Sequence, residues 1–187
     1  MTRLARAFVA VVPPDVVLDE LDTRVRGLTD DPTPLRWLPR QQWDRTLSFL
    51  GGVDDADGLT GSLATAARAV APFALQLAGG GAFPNPRRAS VLWVGVATGG
   101  AELTALATTV STASEGFARH AEDRPYHPHL TVARGARPRP LGGLVDALGS
   151  DPIGPPWTAR EVRLVESDTR PDGAIHTVRA RLPLEGA

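Results

Sequence analysis

Two stretches of this chain carry polar groups at the spacing of one strand face. His129-Leu130-Thr131-Val132-Ala133-Arg134 sets an imidazole two residues from a hydroxyl, and Asp44-Arg45-Thr46-Leu47-Ser48-Phe49 sets a carboxylate at the same spacing from another. Alternate side chains of an extended strand share a face, so His129, Thr131 and Ala133 point one way, as do Asp44, Thr46 and Ser48 in their own strand. An imidazole, with an ordinary pKa of about 6.5, takes or gives a proton near neutral pH. A carboxylate, with an ordinary pKa of about 3.9, accepts one but donates poorly. The chemistry on offer is acid–base chemistry. A single strand with His and Thr is most simply a surface strand wetted on its polar face, but two such strands at equivalent places in a repeat are hard to explain by solvation alone.

The surrounding pattern supplies the elements that must hold these residues. Residues 6–12, 44–50, 73–78, 91–97, 129–134, 161–167 and 175–182 read as strands. Helices are expected at 15–28, with Asp15 as N-cap and Val17, Leu18, Leu21, Val25 and Leu28 inward, at 55–71, at 101–119 and at 140–149. Thr169-Arg170-Pro171-Asp172-Gly173 is turn-prone. The order strand, helix, strand, helix, strand occurs twice at a constant offset of 85 residues, from 6 to 91, 44 to 129 and 55 to 140. Such a period is too long for a solenoid and reads as an internal duplication. The expected fold class is α+β: two pseudo-symmetric lobes of antiparallel sheet with outer helices around a central cleft. One bilobal domain spans 1–187, with duplicated halves at approximately 6–78 and 91–167 and a closing strand at 175–182.

Composition narrows the function classes. The 187 residues, 42% of them hydrophobic, suffice for a core, and 20 basic residues (all Arg) against 21 acidic ones leave a net charge of −1, so no global field recruits nucleic acid. Zero cysteines exclude disulfides, thiol catalysis and Cys-ligated zinc and fit a reducing, cytoplasmic location. The apolar run near the amino terminus is short and stopped by Pro13 and Pro14, so it reads as a buried strand rather than a signal peptide; no run reaches the ~18 residues of a membrane span. The four histidines lack a zinc-ligand spacing, and no metal or cofactor is expected. Gly79-Gly80-Gly81 lacks the downstream Gly-Lys-Ser/Thr of a phosphate loop and reads as a hinge or turn. Ser48 and Ser90 lack a nucleophile elbow. Trp37, Trp43, Trp93 and Trp157 read as core or inter-lobe packing, while Phe49 or Tyr126 could stack a base. Arg36, Arg87 and Arg88 are candidates for tracking a phosphate backbone, though solvated arginines near loops are commoner.

Seven segments in order resemble the two-histidine (2H) phosphoesterases, specifically the bacterial RNA 2′,3′-cyclic phosphodiesterases historically called 2′-5′ RNA ligases. They are Arg6-Ala7-Phe8-Val9-Ala10 with Pro13, Arg36-Trp37-Leu38-Pro39, Trp43, Thr46-Leu47-Ser48-Phe49-Leu50-Gly51, Phe83 to Pro86, Val91-Leu92-Trp93-Val94-Gly95-Val96, and Pro128-His129-Leu130-Thr131-Val132-Ala133-Arg134. That family carries two His-x-Thr-hydrophobic motifs, one per lobe. The resemblance implies metal-independent hydrolysis of an RNA or nucleotide 2′,3′-cyclic phosphate to a phosphomonoester. It makes His129 a catalytic acid or base, gives Thr46 and Thr131 the non-bridging phosphate oxygens, and has Arg134 supply positive charge. Strict alternation would put Arg134 on the face opposite His129, so that role requires a bulge after the motif. The implied partner is an RNA with a 2′,3′-cyclic phosphate end or a small cyclic nucleotide, bound by a monomer, with no membrane.

Asp44 stands where the family's first histidine belongs. It is a catalytic base, the mark of a weakened or inactive enzyme, or an introduced substitution. A carboxylate about 4 Å from a phosphate repels it by ~4 kcal/mol at an effective dielectric of about 20. The alternative function is a catalytically inactive RNA- or nucleotide-binding protein using the same cleft. Among neighbouring histidines, His127 is a strand-entry or rim residue or a further substrate contact, His120 closes a helix, and His176, at the start of the last strand, either lines the cleft rim or, more simply, occupies a solvated hairpin position.

Overall fold

The computed structural model describes residues 2–119, 125–170 and 173–186, so His120 and the Pro171-Asp172 part of the expected turn lie outside the described residues. The chain runs β1 (Leu4–Val11), α1 (Asp15–Arg26), β2 (Arg36–Trp37), a 3-10 turn (Arg40–Gln42), β3 (Arg45–Val53), α2 (Ala56–Arg68), β4 (Phe73–Asn85), β5 (Arg88–Thr98), α3 (Gly100–Ala113), β6 (Leu130–Arg139), α4 (Gly142–Leu148), β7 (Pro152–Ala159), β8 (Glu161–Arg170) and β9 (Gly173–Pro183). Two antiparallel sheets form, ordered β3-β1-β8-β9 and β2-β6-β5-β4-β7. The class is α+β, as the alternation and helical periodicities indicate.

Each sheet buries one face under two helices. Val9, Leu47 and Leu164 of the first sheet meet Leu59 and Leu63 of α2 and Leu103 and Leu106 of α3. In the second, Leu77, Leu92 and Val132 meet Leu21 and Val25 of α1 and Leu144 and Leu148 of α4. Each fully buried leucine contributes about 1.5–3 kcal/mol of burial, and the opposite sheet faces are left to carry polar groups. The sequence halves are not the lobes. β1, β3 and α2 from the first half share a lobe with α3 and β8 from the second, while α1 and β4 pack with β5, β6 and α4. The order β3-β1-β8 in one sheet matches β6-β5-β4 in the other, so the third strand of each half lies in the other half's sheet.

Several local expectations need correction. Asp15 does not cap α1: Pro14 holds the N-cap position without a side-chain bond, and the Asp15 carboxylate accepts a hydrogen bond from Arg40 at 3.0 Å. Helix α3 stops at Ala113 rather than at 119, and Gly116, at φ +82°, turns the chain. Strand β7 departs from the sequence pattern, because Pro152, Pro155 and Pro156 argue against a strand; it survives as the edge of its sheet, where missing N–H groups cost no ladder bond on the open side. Gly79-Gly80-Gly81 is neither hinge nor turn but lies inside β4. A Cβ on Gly81 would lie 2.2 Å from the Trp93 ring, so this glycine gives the indole its seat.

Candidate active site

The second motif sits at the start of β6. His129 immediately precedes the strand, and its Nδ1 lies 2.6 Å from the backbone oxygen of His127. A carbonyl can only accept, so Nδ1 carries the proton and the Nε2 lone pair is left facing away from that carbonyl. Phe83 fixes the ring edge-on, with centroids 4.9 Å apart and planes at 89°. Trp93 and His127 complete an aromatic cluster on the same wall, Trp93 at 5.1 Å from Phe83 and 5.0 Å from His127. Burial lowers the His129 pKa against the opposing effect of the His127 carbonyl, and the guanidinium cations of Arg45 and Arg134 lower it further. This imidazole is therefore neutral at neutral pH and suited to accept a proton.

Thr131 pairs with Trp93 and Arg134 with Val91, while Ala133 pairs with Leu92, so Val132 is an extra residue in the ladder. Val132 and Ala133 are both fully buried. This bulge returns Arg134 to the face of Thr131, as its expected role required. Arg36 pairs with Arg134 across β2 and β6. Burial, then the neighbouring cations of Arg36 and Arg6, pulls the Arg134 guanidinium below its ordinary value. Three arginines from three strands thus concentrate positive charge beside the His129 strand. A recess of about 270 Å³ lies alongside, lined by Gly79, Gly80, Trp93, Gly95 and His127.

The first motif is arranged differently. Asp44 precedes β3, and its Oδ1 accepts the Thr46 hydroxyl proton at 2.9 Å. A hydroxyl has one proton, so Thr46, expected to donate to a phosphate, is committed to Asp44 in this arrangement. The other carboxylate oxygen lies 3.4 Å from Nδ1 of His176, which is mostly buried rather than solvated at the rim. That contact has the reach of an ion pair without the alignment of a linear hydrogen bond. Phe49 is 39% exposed and packs its ring 6.0 Å from Phe8, leaving a face open. Tyr126, the other candidate for stacking a base, packs against the first sheet's core with its hydroxyl buried. His127 is exposed and stands edge-on to both Trp93 and Phe83.

A larger recess of about 680 Å³ lies between α2 and α3, away from both motifs. Its Ser62, Thr65, Thr108 and Thr109 hydroxyls already donate to helix carbonyls, so it offers no comparable chemistry.

A family model described as the 2′-5′ RNA ligase superfamily matches residues 46–171. This chain belongs to that superfamily. An RNA 2′,3′-cyclic phosphodiesterase of Archaeoglobus fulgidus is 31% identical over 174 residues, covering 91% of this chain and 96% of its own. One from Aeropyrum pernix is 31% identical over 146 residues, covering 76% and 82%. Among solved structures, a Thermus thermophilus protein superposes with a TM-score of 0.77 at 26% identity, over 97% of this chain and 98% of that one. E. coli LigT complexed with 3′-AMP gives 0.73 at 25%, over the same shares.

Within this member of the 2′-5′ RNA ligase superfamily, two site features escape the sequence. Nothing local links His176 to Asp44, so its place beside the first motif is visible only in the fold. Arg45 is fully buried on the Leu47 side of β3, and its guanidinium nitrogens find no hydrogen-bond acceptor among the described residues. Burial pushes its pKa down to about 10, with Tyr126 opposing, and it still stays charged at neutral pH. The available signal is an arginine at an alternate position two before Leu47, where an apolar residue belongs.

Proposed function

We propose that this protein hydrolyses the 2′,3′-cyclic phosphate of an RNA end or a small nucleotide to a phosphomonoester, without a metal ion. The names of the relatives support the reaction class. The observation that carries it is the His129 Nδ1 bond to the His127 carbonyl, which, with the lowered pKa, leaves a neutral Nε2 ready to take a proton from water. Thr131 and Arg134, on one face through the bulge, are suited to hold the non-bridging oxygens as their charge grows. Arg36 adds charge at their side, and Phe49 offers a base an open aromatic face. The phosphorus is attacked by water, one P–O bond to ribose breaks, and the departing oxygen needs a proton.

The test is hydrolysis of adenosine 2′,3′-cyclic phosphate in a chelator, from about pH 5 to 9, with His129→Ala as control. Turnover that is lost in the control supports the reading; undiminished turnover in His129→Ala overturns the site. A second reading, that the cleft binds RNA or nucleotide without turning it over, is favoured by Asp44 alone, since an unneutralised carboxylate repels the substrate phosphate. It requires an inactive natural chain and activity in Asp44→His.

A further inference from the structure

Resting on the phosphodiesterase reading above, we propose that His176 supplies the second imidazole of the reaction, held by Asp44 from the place where the first motif's histidine would stand. The imidazole then stands on another strand, with the Asp44 carboxylate of the first motif beside it to orient it.

Several contacts distinguish His176 from a solvated hairpin residue. Its side chain is 18% exposed and that of Asp44 11%, with Nδ1 and Oδ2 3.4 Å apart. Nδ1 is shielded from solvent and has no hydrogen-bonded partner among the described residues, so Asp44 is the acceptor it faces. The Phe8 ring stands edge-on to the imidazole at 4.9 Å and 65°. Thr46 holds the opposite carboxylate oxygen at 2.9 Å. Gln42, two residues before Asp44, donates from Nε2 to the Ala174 carbonyl at 2.7 Å and ties the start of β9 to the first motif. Ser167 is the β8 partner of His176 and brings no charge. The hydroxyl is hydrogen-bonded to one carboxylate oxygen, and the imidazole Nδ1 lies within ion-pair reach of the other. With Nδ1 turned to Asp44, Nε2 points the other way, as in any imidazole oriented by a carboxylate.

This arrangement completes the proton balance. Water oxygen bonds to phosphorus while Nε2 of neutral His129 takes its proton. The P–O bond to one ribose oxygen breaks with its electron pair, and Nε2–H of protonated His176 gives that oxygen a proton. His129 ends protonated and His176 neutral, and solvent exchange resets both. An Asp44–imidazolium pair is also neutral overall, which removes the repulsion an isolated carboxylate would exert on the phosphate.

Kinetics on adenosine 2′,3′-cyclic phosphate test this, using the intact protein, His176→Ala, His176→Gln, Asp44→His and the double variant Asp44→His/His176→Ala, each checked for an unchanged thermal transition. The expected result is a fall in kcat of ~100-fold or more in either folded His176 variant with little change in KM, and recovery of ~10-fold or more when Asp44→His is added to His176→Ala. Full activity in the His176 variants overturns the assignment and leaves the phosphodiesterase reading standing. An inactive natural chain with an active Asp44→His form overturns it too, since His176 would then not replace the missing group. No turnover by either overturns the phosphodiesterase reading itself. For Asp44 as positioning residue, ¹⁵N NMR of neutral His176 is expected to show the proton on Nδ1 in the natural chain and on Nε2 in Asp44→Ala; the same tautomer in both overturns the orienting role.

Discussion

Arg45 is a cation in a place built for an apolar side chain, and its effect reaches His129. Desolvation of a charge without hydrogen-bond partners costs several kcal/mol, more than its distant interactions return. Arg45→Leu is therefore expected to raise the thermal midpoint, read by calorimetry. It should also raise the His129 pKa, because one of the cations that depress it is gone. For His129 itself, the folded-state value lies below 6.5, so the neutral base persists as pH falls past 6.5 and kcat/KM should decline only at lower pH. The same depression means the unfolded chain binds the proton more tightly. Stability contributed by neutral His129 should then be lost as pH falls below about 6.5, visible in melts at constant ionic strength. Arg134→Ala is expected to raise KM and flatten the salt dependence of nucleotide binding, measured by titration calorimetry, as one phosphate contact disappears. The strand that begins at the second motif was legible because a two-residue period is a local rule, whereas the bulge before Arg134 followed only from the role the resemblance implied. The Asp44–His176 contact joins opposite ends of the chain, and no local rule carries that information.

At the scale of elements, most strands and all four helices followed from periodicity, whereas β2, β7 and the glycine run did not. Proline bars a residue from donating in a ladder, but only a sheet order reveals which strand has an open side. Gly81 reads as a breaker in isolation, yet its missing Cβ is filled by the Trp93 indole. Gly81→Ala is expected to push Trp93 off its seat and cost about 1–3 kcal/mol, as overpacking does. Because Trp93 abuts Phe83 and His127, the same variant should lower kcat, and tryptophan fluorescence together with kinetics would show both effects. An unchanged melt and emission would mean that the strand shifts to make room. Bulges likewise escape a reading by strict alternation: Val132 and Ala133 both look inward, and the polar face resumes only at Arg134.

For the whole molecule, the offset of 85 residues made the two-sheet plan readable, but not the exchange of β4 and β8 between sheets. A repeat in sequence says that two units are alike, not which partner each strand finds. The exchange predicts that residues 1–86 and 87–187, expressed apart, each lack a cooperative melt by circular dichroism, and that mixing them restores one. Independent melting of the two pieces would contradict this. The chain alternates between the two sheets and their helices through β1, α1, β3, β4, α3, β6 and β8, so the two halves of the molecule are laced together by repeated crossings rather than joined at one flexible strap. Parting the two sheets would mean undoing several crossings at once. Strain applied at any one crossing is therefore shared by the next, as in a stitched hem rather than a hinge.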